Sequence, residues 1–97
     1  MNFSGQTIGV VGLGASGLAT ARWLSRHGAE LVVAESRDGP PNQAELARLA
    51  PKAVLRTGAF SAATFADCDQ LVVSPGVPLA TPEIAAFAAA GGEVMGD

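Results

Sequence analysis

The stretch "TIGVVGLGASGLATARWL", Thr7 to Leu24, sets three glycines where an apolar run breaks and helical spacing begins. Glycine weakens strands and helices alike, so three of them at one junction require a turn whose backbone is bare. Thr7 to Val11, before the break, reads as a buried strand. Beyond it a helix is predicted from about Ala15 to His27, with Leu18, Ala21 and Leu24 on its apolar face and Gly28 at a left-handed stop. Strand, glycine turn and helix in that order open a βαβ unit and restrict the chain to layered α/β folds.

The same alternation continues. "ELVVA", Glu30 to Ala34, is the second predicted strand, followed by the polar loop "ESRDGPPN". Asn42 and Glu45 have capping-box spacing and open a short helix that ends before Pro51. Ala53 to Arg56 reads as strand three, "SAATFADC" as a short helix or irregular turn, and Gln70 to Val73 as strand four. Thr81 and Pro82 resemble an N-cap followed by proline at the first helical position. That helix runs to Ala90, and Glu93 to Met95 forms strand five. The expected fold is α/β: a Rossmann-like, doubly wound parallel five-stranded sheet with helices on both faces and strand order 3-2-1-4-5. Strands one and four are then neighbours, and the crevice at their carboxyl ends is the default ligand site.

A chain of 97 residues, 48% apolar and 15% charged, can bury one core, so residues 1–97 are read as a single domain. The net charge of −3 argues against nucleic acid or an anionic membrane surface as partner. The single cysteine, Cys68, permits neither an internal disulfide nor a zinc cluster and fits a reducing, cytoplasmic setting. No run approaches the roughly 20 apolar residues of a membrane span, and "MNFSGQ" lacks the features of a signal peptide.

"GLGASG" has the G-x-G-x-x-G spacing directly after a strand and at the start of a helix. Gly12 permits the tight turn, Gly14 lets a pyrophosphate approach the backbone, and Gly17 lets helix and strand pack closely. The first helical N–H groups, near Ala15 and Ser16, carry about half a positive charge at the helix end, so an anionic diphosphate suits them. Glu35 follows Gly14 by 21 residues, at the end of strand two. There a carboxylate accepts from the ribose diol of NAD, or from a uracil N3–H while the Ser36 hydroxyl donates to a ring oxygen. Glu35 would repel a 2′-phosphate despite Arg37 nearby. Residue chemistry gives a nucleotide and leaves the base open. Ser74 and Gly76, in "SPG" after strand four, should face the glycine turn and offer a hydroxyl and a bare amide.

Other reactive residue types have structural explanations. His27 falls in the last turn of its helix, where a partial positive charge is favoured. Cys68 has no basic neighbour to activate it and is read as packing. Asp67 and Asp69 lie at the amino end of strand four, away from the crevice, and Trp23 is expected to cover the sheet edge.

Taken together, "GLGASGLATARWL", "ESR", "VVSPGVPLATPEI" and "VMGD" resemble the N-terminal domain of the Mur ligases, in its D-glutamate-adding branch, over essentially the whole chain. The resemblance implies a domain that holds the UDP part of UDP-N-acetylmuramoyl-L-alanine in peptidoglycan biosynthesis. Gly14, Ala15 and Ser16 would cradle the diphosphate, Glu35 and Ser36 would read the uracil, Arg37 would sit beside base and phosphates, and Ser74 and Gly76 would close the site. The family more often has Asp-Thr-Arg where this chain has Glu-Ser-Arg. The resemblance further implies an ATP- and Mg2+-dependent ligase whose central and C-terminal domains lie beyond Asp97, so that this chain binds without a catalytic residue or metal site of its own. A NAD-binding dehydrogenase domain and a nucleotide-sensing regulatory module are the alternatives. No His, Lys or Tyr set for hydride chemistry is present, and the loop after strand four favours the ligase.

Overall fold

β-branched and apolar residues dominate the strands that form the middle of the sheet. In the computed structural model, which describes residues 3–96, these are β1 (Thr7–Val11), β2 (Glu30–Glu35) and β4 (Gln70–Val73), flanked by β3 (Val54–Thr57) and β5 (Glu93–Gly96). The strand order is β3-β2-β1-β4-β5 and every pair is parallel, as the alternation of strands and helices required. Central β1 pairs on both sides, with Val10 opposite Val33 of β2 and Val72 of β4. A strand in that position is covered on both faces, which is why its sequence is a continuous apolar run.

Alternate side chains feed two cores. Ile8, Val10, Leu31 and Val33 pack with Ala21 and Leu24 of α1 (Ala15–Arg26) and Leu46 of α2 (Gln43–Leu49). Val11, Ala34, Leu71 and Val73 pack with Phe65 and with Ile84 of α3 (Pro82–Ala89). The α1 helix ends as its sequence predicts: Gly28 has φ 89°, its N–H donates to the Ser25 carbonyl, and the Ala29 N–H donates to that of Leu24. This is the paired bonding of a Schellman stop.

The strand and helix ends differ from expectation by one residue. β2 includes Glu35, α1 stops at Arg26, β3 covers Val54–Thr57, α3 stops at Ala89 and β5 extends to Gly96. "SAATFADC" contains a 3-10 turn, Ala62–Thr64, with the Ser61 N–H donating to Thr64 Oγ1 at 2.9 Å. Two caps need correction. Asn42 makes no side-chain cap bond to α2 and lies in the left-handed region at φ 65°. Thr81 precedes α3, with Pro82 at its start, yet its hydroxyl turns back to the Pro78 carbonyl at 2.6 Å. Asp97, part of the quoted "VMGD", lies outside the described residues.

The remaining polar residues take structural positions. His27 Nδ1 donates to the Trp23 carbonyl at 2.7 Å and its ring stacks on Trp23, which is 47% exposed and also meets the edge of Phe3. Asp67 pairs with Arg56, and Asp69 accepts the Thr7 N–H at 2.7 Å, tying the start of β1 to the segment before β4. Cys68 packs beside the second core, and burial pushes its thiol up to about 11.

Candidate functional site

The three glycines of the turn answer to different demands. Gly12 is buried at φ 97°, a conformation other residues rarely adopt, and its N–H donates to the Ala34 carbonyl of β2 at 2.7 Å. Gly17 lies so close beneath the turn that a Cβ would collide with the Gly12 carbonyl. Gly14, the N-cap of α1, has ordinary backbone angles, and a Cβ there would meet nothing within 4 Å. The protein's own packing therefore explains Gly12 and Gly17 but leaves open space in front of Gly14.

That space faces the amino end of α1. The helix has no acidic residue in its first turn, so its partial positive charge is left uncompensated there. Ala15 and Ser16 are exposed. Ser36 and Arg37 are exposed as well, following Glu35 at the carboxyl end of β2.

Glu35 is the polar centre of the arrangement and is only 4% exposed. Its Oε1 accepts the Leu13 N–H at 3.1 Å and Arg37 Nη2 at 2.7 Å. Its Oε2 accepts the backbone N–H of Arg37 at 2.8 Å and Arg37 Nε at 3.1 Å. Chiefly through the Arg37 guanidinium, and against the cost of burial, the carboxyl pKa is lowered to about 2. A carboxylate has about four acceptor positions, and here these four bonds take them up. Glu35 can contact a base only by exchanging one of these bonds, whereas Ser36 and Arg37 already face solvent.

Across the crevice, the Ser74 N–H donates to the Val11 carbonyl at 3.0 Å, and its hydroxyl lies 3.4 Å from the Gly12 carbonyl. The structure thus brings Ser74 against the glycine turn. Gly76 is exposed in the loop beyond, with nothing within 4 Å of a Cβ position. Sequence reasoning missed two participants. Leu13 is completely buried, and Asn42 Nδ2 donates to its carbonyl at 3.2 Å. The only local signal at Asn42 was its capping-box spacing, which pointed to the wrong partner.

With this geometry in view, comparison with known proteins is decisive. The model of the family described as Mur ligase MurD-like, N-terminal domain, matches residues 6–96. The chain belongs to this family. It is 54% identical over 97 residues to the UDP-N-acetylmuramoylalanine--D-glutamate ligase of Chromobacterium violaceum, covering 100% of this chain and 21% of that protein. The protein of the same name from Dechloromonas aromatica is 59% identical over 87 residues, 90% of this chain and 19% of the relative. The chain thus spans about a fifth of the length of these relatives. Among solved structures, SirC, a precorrin-2 dehydrogenase, superposes with a TM-score of 0.68 at 14% identity, covering 97% of this chain and 45% of that one. This likeness concerns the Rossmann-like fold alone.

Among the described residues, no three His, Cys, Asp or Glu side chains gather where they could hold a metal ion. No described helix is long and apolar enough to cross a membrane.

Proposed function

We propose that this chain holds the UDP part of UDP-N-acetylmuramoyl-L-alanine for an ATP-dependent, D-glutamate-adding ligase of peptidoglycan synthesis. The observation that carries the reading is the unfilled space at Gly14, set before a helix end with no acidic residue, in a chain of the MurD-like family. In this reading Gly14, Ala15 and Ser16 receive the diphosphate. Ser36 and Arg37 flank the uridine with Glu35 behind them, and Ser74 and Gly76 close the opposite wall.

The chain's contribution is to bind and orient. A hydrogen bond to a charged group contributes roughly 1.5–3 kcal/mol, so a few amides on a diphosphate suffice for measurable binding. In that ligase, ATP with Mg2+ would phosphorylate the alanyl carboxylate and leave ADP, and the D-glutamate amine would attack the acyl phosphate, forming the amide and releasing phosphate. In this reading those steps fall to the parts of the ligase that this chain, about a fifth of its relatives' length, does not span. A cytoplasmic location accords with such a substrate.

An amide NMR titration of the 97-residue chain tests the reading. UDP is expected to shift Ala15, Ser16, Ser36, Arg37 and Gly76, while NAD leaves them in place. Gly14→Val is expected to abolish those shifts and keep the fold, because the added side chain enters solvent rather than a neighbour. Response to NAD alone, or undiminished UDP affinity in Gly14→Val, would overturn the reading.

A further inference from the structure

Leu13 is held at both of its peptide groups by side chains remote in sequence. Its N–H, in the Gly12–Leu13 peptide, donates to Glu35 at the end of β2. Its carbonyl, in the Leu13–Gly14 peptide, accepts from Asn42 at the start of α2. In a trans peptide the carbonyl and N–H point in opposite directions. Anchoring the Leu13 carbonyl on Asn42 therefore turns the Gly14 N–H away from α2.

The backbone at Asn42 supports a specific role. Its left-handed conformation is unfavourable for a residue with a Cβ, although asparagine tolerates it better than most. The position makes no cap bond that would explain the choice. What the side chain does make is the bond to Leu13, which a helix-capping geometry would have forgone.

We propose that Glu35 and Asn42 are positioning residues, clamping the two peptides around Leu13 so that the Gly14 amide is presented to the diphosphate. The inference rests on the UDP reading above and assigns Glu35 to the shape of the phosphate cradle in addition to any contact with the base. It separates two parts of the ligand. Loss of the clamp weakens the grip on phosphate and spares the nucleoside.

The test compares UDP with uridine on the 97-residue chain by NMR titration. Asn42→Gly is the main variant, because glycine keeps the left-handed backbone and removes only the side-chain amide. Asn42→Asp is the second, since a carboxylate cannot donate to the Leu13 carbonyl. Both variants are expected to lose about fivefold or more in UDP affinity, as for one lost hydrogen bond. Uridine affinity should hold, and the Leu13 and Gly14 amide resonances should move in the free protein. Unchanged UDP affinity in both variants overturns the clamp while leaving the UDP site standing. An equal loss of UDP and uridine also overturns it, because that marks a general structural role. A wild-type chain that does not respond to UDP at all removes the site reading and the clamp with it.

Discussion

The β1–α1 turn and the β4–α3 loop lie side by side at the carboxyl edge of the sheet, but their supports differ in range. Leu13, in the first, is bonded by Glu35 and Asn42, 22 and 29 residues away, and Ser74 reaches Gly12 across 62. Beyond Ser74, the second loop is held by short bonds, Val77 N–H to the Ser74 carbonyl and Thr81 to that of Pro78. Its Pro75 and Gly76 are exposed, and Leu79 is 58% exposed. The first is thus fixed by hydrogen bonds from distant segments, whereas the second, beyond Ser74, combines local turns with the packing of Val77 against the second core. For the proposed diphosphate site this matters, because amides that had to be ordered on binding would cost affinity. A closing loop has no such requirement.

The sharpest way to break this contrast is at Gly17. Gly17→Ala places a methyl group against the Gly12 carbonyl, so the turn and helix must separate. The expected loss is about 3 kcal/mol or more, or failure to fold, read by thermal unfolding followed by circular dichroism. Near-wild-type stability would show that the turn is less fixed than its contacts imply.

Acid provides the next test. Folding lowers the Glu35 pKa from 4.5 to about 2, so it favours the ionised form. The resulting stabilisation is fully present above about pH 5 and is lost as pH falls through the interval down to about 2. It amounts to at most about 3 kcal/mol, and to less because Arg37 stands largely in solvent. Glu35→Gln should lower stability at neutral pH and flatten the acid limb in denaturant titrations at several pH values. An unchanged acid limb would remove Glu35 as the anchor of the turn.

The smallest effect is expected on the other wall. Gly76→Ala points a methyl group into open space and should change stability by less than about 0.5 kcal/mol. A larger loss in chemical denaturation would mean that the β4–α3 loop carries support comparable to that of the glycine turn.

Much of the fold was legible because its determinants are local. Val10 and Val11 in an unbroken apolar run mark a central strand, and Gly28 marks a helix stop that forms with the expected bonds. Asn42 and Thr81 show where local reading fails. Both have the chemistry of a cap, but a carbonyl brought near by the fold or by a preceding turn took the bond instead. The sequence placed Ser74 against the glycine turn, where the structure has it, but did not indicate that Arg37 would enclose Glu35 or that Leu13 would be bonded at both of its peptide groups.

The sequence by itself determined the alternation of strands and helices, the glycine turn and the switch point between β1 and β4. These follow from side-chain periodicity and from the backbone angles that glycine permits, both properties of neighbouring residues. Only the tertiary structure decided which carbonyl Asn42 serves and how Glu35 spends its acceptors, because those choices depend on distances between segments far apart in the chain. A polar side chain bonds to whatever the packing brings within about 3 Å, and the packing is set by the apolar cores on either side of the sheet.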